Sequence, residues 1–255
     1  METVVACYKW VVDEADIRVR ADGSVDFSRA QGRISEYDKN AIELAVQLAG
    51  QAGAKAVGLT FGPEKTRKSL KDALSRGLDE LCWVKSEASD GFDGAVTARA
   101  LAAGAKTLVG VGLVICAEGS SDGYSRQVGP RLGALLGWPV ITSACEVALS
   151  EGTVTGVRRL EDVLETVRVE GPAVVAVLPE VNRPPLPGLK AVMAAGRKPV
   201  VEVTAGELGV NLSPRAVVVG QEGYAQERKK LMIEGESLAS TAAELVSRLR
   251  QDGVI

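Results

Sequence analysis

The chain has 255 residues, 30 Lys+Arg against 33 Asp+Glu for a formal net charge of −3, and 46% hydrophobic residues. That profile fits a soluble globular protein of one or at most two domains, and the mild acidity, with no Lys/Arg cluster alternating with aromatics, argues against nucleic acid as the main partner. No histidine is present, which excludes Ser-His-Asp and Cys-His nucleophile activation, imidazole acid–base work and His-containing zinc sites.

The first predicted strand is the apolar run Val4 to Cys7, followed by Tyr8-Lys9. This start lacks the basic opening and the length of a secretory signal, and no run approaches the roughly 20 apolar residues of a membrane span, so a cytoplasmic location without membrane insertion is expected. Ile17 to Arg20 and Val25 to Phe27 flank Ala21-Asp22-Gly23-Ser24, which predicts an inserted hairpin. Ile42, Ala45, Val46 and Ala49 fall on one helical face, as do Leu70, Ala73 and Leu74 between Pro63 and Gly77. Ala56 to Phe61, Leu81 to Val84 and Leu108 to Ile115 are further apolar runs. The alternation of strand and helix implies a parallel sheet covered on both faces. After Gly137-Trp138-Pro139, the segments 145–149, 154–157 and 163–169 carry the two-residue period of an antiparallel meander, and Ala173 to Leu178 is one more apolar run. Residues 204–234 lose this regularity, with Pro214 and the charged run Gln226 to Lys230, and a final amphipathic helix carries Leu238, Ala242, Leu245, Val246 and Leu249. The cysteines Cys7, Cys82, Cys116 and Cys145 are widely spaced in apolar segments, with no metal-ligand spacing, and read as buried small hydrophobes.

In an open parallel sheet, ligands bind beyond the carboxyl ends of the strands. Four segments qualify: Cys7-Tyr8-Lys9, Ser35-Glu36-Tyr37-Asp38, Phe61-Gly62-Pro63, and the loop Ala117 to Gly129. The last leads into a helix, and its glycines, small hydroxyls and helix start suit a phosphate or pyrophosphate. The same composition also describes an ordinary loop capped by Asp122 or Ser125, and on spacing alone Ser35 with Asp38 three residues on reads as helix capping.

Taken together, these blocks resemble the β (small) subunit of the electron transfer flavoproteins. Lys9-Trp10-Val11-Val12-Asp13 is similar to that family's Lys-x-Val-x-Asp. Ser35-Glu36-Tyr37-Asp38 stands where the family has Asn-Pro-[Phe/Tyr]-Asp, and Gly62-Pro63 with Leu70 to Asp79 follows its next block. Asp122 to Pro130 and Leu136 to Pro139 resemble the nucleotide loop and the Leu-Gly-Trp-Pro that follows it, and Asn182 to Met193 resembles the recognition loop. The chain departs at Ser35-Glu36, at Tyr124 and Arg126 in place of a small acid and Ala, and at Leu186 in place of Tyr. Ala194-Ala195-Gly196 replaces a lysine-rich run.

The resemblance implies an adenine-nucleotide-binding α/β fold: a mostly parallel twisted sheet with helices on both faces, an inserted hairpin, an antiparallel extension and a C-terminal arm helix. It places the nucleotide-binding domain at 1–203 and an irregular arm with the helix, contacting a partner subunit, at 204–255. The partner implied is the larger α subunit, whose mobile domain carries the redox FAD. The chain would pass electrons from a dehydrogenase or NADH through flavin, as a carrier or within a bifurcating complex. Its own second nucleotide is FAD or AMP, with Gln127-Val128-Gly129 after Asp122-Gly123 closer to the bifurcating form. By carry-over, that nucleotide is surrounded by Cys7, Lys9, Ser35, Glu36, Tyr37, Asp38, Phe61, Gly62, Ala117, Asp122, Gly123, Tyr124, Ser125, Arg126, Gln127, Val128 and Gly129. Leu186, Leu189 and Met193 would meet a redox partner dehydrogenase. The competing reading is a stand-alone adenine-nucleotide sensor of universal-stress type, which leaves the proline-rich loop and the terminal helix without a purpose.

Overall fold

A computed structural model of the chain describes residues 1–86, 91–224 and 229–255. The charged run expected at 226–230 therefore lies partly outside the described residues. The chain forms two compact units, one of residues 1–18 and 26–221, the other of residues 19–25 and 222–255.

The first unit is built on a sheet whose central strand, β1 (Thr3–Tyr8), is buried at every position. In chain order follow β2 (Trp10–Val12), the hairpin strands β3 (Arg18–Val19) and β4 (Val25–Asp26), β5 (Gly32–Ile34), α1 (Glu36–Ala52), β6 (Lys55–Gly62), α2 (Arg67–Ser75), β7 (Glu80–Lys85) and α3 (Gly94–Thr107). Next come β8 (Val111–Ala117), α4 (Val128–Leu136), β9 (Val140–Ser150), β10 (Thr153–Arg159), β11 (Leu164–Glu170), β12 (Ala173–Val177), α5 (Leu189–Ala195) and β13 (Val200–Thr204). The main sheet has nine strands in the order β11-β10-β9-β12-β8-β1-β6-β7-β13. From β9 to β13 all neighbours are parallel, whereas β10 pairs antiparallel with both β9 and β11. The meander thus extends the parallel sheet rather than folding over it, because β12 returns between β8 and β9.

Two clusters of buried side chains, one on each face, explain the unbroken apolar runs. Val4, Ala6 and Tyr8 join Ile42, Ala45, Leu70 and Leu74 from α1 and α2. Val5 and Cys7 join Val96, Leu101 and Leu132 from α3 and α4. Each fully buried Val or Leu contributes about 1.5–3 kcal/mol relative to exposure, so a strand read by both faces needs no polar alternation. The apolar run 108–115 is divided: Leu108 ends α3, Val109 is exposed and Gly110 takes a left-handed φ of 64° before β8 begins. The α/β unit also runs past residue 203, because Ala205, Leu208, Val210 and Leu212 pack in the second cluster. All four cysteines are buried and free. Among the described residues, no helix is long and apolar enough to cross a membrane.

In the second unit, Ser24 bridges antiparallel to Glu222 and the Gly223 N–H donates to the Gly23 carbonyl at 2.8 Å. The unit ends in α6 (Leu238–Gln251), which Ser237 and Ser240 start with a reciprocal capping box and which buries none of its own residues.

Candidate functional site

The chain runs outward from β1 through β6 and β7 on one side, then returns to β8 on the other. The carboxyl ends of β1 and β8 consequently flank a reversal of strand order, the place where connecting loops diverge and leave a crevice.

Lys9 stands at the end of β1. Its N–H donates to Asp38 Oδ2 at 2.8 Å, and its carbonyl accepts from the Ser35 N–H at 3.0 Å. Its ammonium pairs with Asp122 Oδ2 at 2.6 Å, while Asp122 Oδ1 accepts from Ser120 Oγ at 2.5 Å. The Ser121 N–H donates to Ser35 Oγ at 3.2 Å. Three chain segments expected in the site are therefore laced together at one point. Rings add a second link: Tyr37 and Tyr124 meet edge to face at 5.2 Å, and the Arg126 guanidinium lies 4.9 Å from the centre of the Tyr124 ring. The two residues that depart most from the family loop thus pack on each other and on the start of α1.

These contacts correct the capping readings. Ser35 occupies the N-cap position of α1 but caps nothing with its side chain, which instead receives the N–H of Ser121. Asp38 is spent on Lys9. At α4 the N-cap is Gln127, neither Asp122 nor Ser125, and it too makes no capping bond.

Electrostatics follow burial. Asp38 is almost fully enclosed, and burial pushes its carboxyl up to about 7 against the pull of the Lys9 N–H and ammonium. Burial also opposes ionisation of Asp122, but the Lys9 ammonium and the Ser120 hydroxyl outweigh it and hold that carboxyl below its ordinary value. The Cys7 thiol is raised well above its usual range, first by its hydrogen bond with Cys116 and then by burial.

The loop also has the backbone geometry of an anion cradle. Tyr124 and Arg126 adopt left-handed φ values of 40° and 55°, and Gln127 follows at φ −105°, ψ −29°. Neighbouring residues of opposite hand turn successive N–H groups toward one point, and here that point precedes a helix start with no side-chain cap. Among the described residues, the buried Ser121 Oγ has no hydrogen-bond partner, nor has Glu118 Oε2 in the same loop. A phosphate at this mouth would meet the amides of 126–128, so the backbone present fits a nucleotide phosphate.

Not every expected residue faces this mouth. Cys7 points into the second cluster beside Cys116, and Glu36 is engaged by Arg33 and Lys39. Gly129 faces β12, where an added Cβ would stand 3.1 Å from the Ala176 Cβ, so its smallness serves packing of α4 on the sheet. Ala117 is the buried end of β8, Val128 begins α4, and Gly123 and Ser125 are exposed on the loop. Phe61 and Gly62 line a cleft of about 440 Å³ with Lys9 and Asp122, and Phe61 meets Phe92 at 4.9 Å between ring centres. Sequence reasoning missed the rest of that cleft, which includes Trp10, Gln31, Thr66, Lys68 and Thr97. The available signal was Gly62-Pro63, which opens a short 3-10 turn over Glu64–Thr66 and turns Thr66 back onto the strand end.

Leu186, Leu189 and Met193 are 90%, 77% and 70% exposed. The stretch expected as a loop through Met193 becomes helical at Leu189, which puts Leu189 and Met193 four residues apart on one helical face.

A family model described as Electron transfer flavoprotein domain matches residues 22–208. That span takes in α1, the loop before α4 and the strands β6 to β13, so the chain belongs to the electron transfer flavoprotein domain family.

Proposed function

We propose that the chain is the β subunit of a heterodimeric electron transfer flavoprotein. It holds an adenine nucleotide at the β1/β8 crevice and pairs with an α subunit that carries the redox flavin. The observation that supports this most is the meeting of Lys9, Ser35, Asp38 and the 120–127 loop beside an uncapped helix start. The amides of 126–128 would hold the phosphates, with Ser125 and Gln127 as side-chain donors. Arg126 in the loop and Lys9, paired with Asp122, supply positive charge, and Tyr37 and Tyr124 brace the loop against α1. FAD is preferred over AMP at this site because Asp122-Gly123 and Gln127-Val128-Gly129 resemble the bifurcating form of the loop. When bound, the flavin supplies the electron chemistry; protein groups bind and orient it. Leu186, Leu189 and Met193 present the apolar contact for a redox partner dehydrogenase.

Coexpression with a candidate α subunit, followed by acid extraction and nucleotide quantification, tests the reading. A yellow αβ dimer yielding two FAD supports it in full, and one FAD with one AMP keeps the site but replaces its ligand. A monomeric chain with full electron-transfer activity overturns it.

A further inference from the structure

Asn40 lies in the second turn of α1, past the positions where a side chain caps the helix start, and it is only 7% exposed. An asparagine inside a helix costs propensity, and a buried amide costs more unless it is paired, so its place needs a tertiary partner. That partner is Asn182. The Asn40 amide nitrogen lies 2.9 Å from the Pro179 carbonyl, 2.9 Å from the Asn182 carbonyl and 3.1 Å from Asn182 Oδ1, so both its hydrogens are used. Asn182 Nδ2 donates back to the Asn40 carbonyl at 3.0 Å. Two residues along a helix make a rotation of about 200°, so Asp38 and Asn40 face opposite sides of α1. Asp38 fastens the helix to Lys9 at the nucleotide crevice, and Asn40 fastens it to the 3-10 turn Pro179–Val181, by which the chain leaves β12. The segment that follows is held again at its far end: Ala195 is buried in the first cluster, and Lys198 Nζ donates to the carbonyls of Leu74 and Leu78 where α2 ends. Between these two clamps stand Pro184, Pro185 and Pro187 with the exposed Leu186, Leu189 and Met193.

We infer that Asn40 is a positioning residue for the redox partner: through its reciprocal bonds with Asn182 it fixes where the segment 182–198 leaves the sheet, and so where Leu186, Leu189 and Met193 are presented. The inference rests on the docking surface of the proposed function and adds the residue that aims it. The prolines limit the backbone freedom of the segment, but a stiff segment points wherever its entry is held, and Asn40 holds the entry. A patch set in place before docking loses less freedom on binding, so release of the clamp raises the cost of docking without touching the flavin. Because α1 also carries Asp38, one helix keeps the apolar patch in register with the nucleotide crevice.

The test uses the purified αβ dimer with its resident nucleotides, a flavin-dependent dehydrogenase that reduces the unaltered dimer as probe, and amide exchange read by mass spectrometry. Asn40→Ala should raise KM for the dehydrogenase at least about fivefold with kcat within about twofold, because the patch is misplaced while the flavin is not. Exchange over residues 188–195 should quicken at least about fivefold, with exchange in β1 and the nucleotide content unchanged. Asn182→Ala, at a half-buried loop position, should repeat both effects and carries the test if Asn40→Ala does not fold. Asn182→Asp keeps an acceptor for the Asn40 amide and should recover most of the loss. In a chain already carrying Leu186→Ala, Leu189→Ala and Met193→Ala, Asn40→Ala should add almost nothing to KM, since the clamp acts through that patch. Unchanged KM and exchange in both alanine variants overturn the inference. So does a rise in KM that is fully additive with loss of the patch, or one accompanied by lost nucleotide, since Asn40 would then serve general stability. Unchanged KM on removal of the patch itself would defeat the docking surface of the proposed function instead, and exchange over 188–195 would still decide whether Asn40 holds the segment.

Discussion

The Asp38 carboxylate accepts the backbone N–H of Lys9 at 2.8 Å, so the first residue beyond β1 is fastened to the first turn of α1 by a group that burial drives toward neutrality. The Lys9 side chain then reaches Asp122, which makes Asp38 the inner anchor of a chain of contacts ending in the loop before α4.

The pH dependence follows from the raised carboxyl. Its value of about 7 in the folded chain exceeds the ordinary aspartate value near 3.8, so the folded state binds this proton more tightly. Below the unfolded value both states are protonated and Asp38 costs nothing. As pH rises toward 7 the unfolded state is ionised first, and the group progressively destabilises the fold by up to about 1.4 kcal/mol per pH unit. Asp38→Asn keeps an oxygen for the Lys9 N–H and removes the titration. Urea midpoints measured from pH 4.5 to 8 should therefore fall less steeply with pH in the variant than in the parent. Parallel curves would place the titration elsewhere.

Gly129 supports a different expectation. A Cβ there meets the Ala176 Cβ at 3.1 Å, closer than ordinary contact, and β12 has no room to retreat because β8 and β9 hold it on both sides. Gly129→Val should destabilise the chain by about 1–3 kcal/mol through overpacking. Ala176→Gly in the same chain should recover part of that loss. Nucleotide content measured below the unfolding transition distinguishes this packing role from a direct ligand contact.

Much of the architecture was legible because two-sided burial leaves an unmistakable mark: β1, β6, β7 and β12 are short runs with hardly a polar residue. β13 escaped notice since Val200 and Val201 are 40% and 49% exposed at the sheet edge, where apolar content no longer tracks the core. α3 buries mostly alanines, which contrast too weakly with their neighbours to mark a face. In the site, the meeting of 35–38 with 120–124 is long-range, and spacing along the chain favoured local caps that the structure replaces with contacts between segments. The outer wall around Trp10 and Lys68 carries no local motif at all; only the approach of β2 and β5 to the end of β6 and the start of α2 assembles it.

At the α5 surface, Leu189→Ala removes a side chain that is 77% exposed. Stability should stay within about 0.5 kcal/mol, as for surface positions generally. Electron delivery from a partner dehydrogenase, followed by stopped-flow, should slow while the flavin spectrum is retained. Equal loss at Leu186→Ala and Met193→Ala would mark one contact patch, and an unchanged rate in all three would remove this surface from the electron-transfer route.

The terminal helix makes the sharpest division between a chain's own stability and its assembly. α6 has a complete capping box and basic residues Arg248 and Arg250 in its last turn, features that hold a helix by local means. Yet none of its residues is buried, and Leu238, Leu245 and Val246 are exposed apolar positions. A helix that buries nothing contributes little to the free energy of its own chain, because most helical stability comes from a packed apolar face. An α subunit covering that stripe would add the missing burial. Deleting residues 236–255 should therefore leave the urea midpoint of the isolated chain nearly unchanged and weaken capture of the α subunit by at least tenfold, the equivalent of about 1.4 kcal/mol and less than one buried leucine supplies. A variant with Leu238, Leu245 and Val246 replaced by Ser keeps the chain length and should weaken capture in the same way. Cooperative unfolding lost on truncation, with pairing intact in the serine variant, would show that the helix serves its own chain instead.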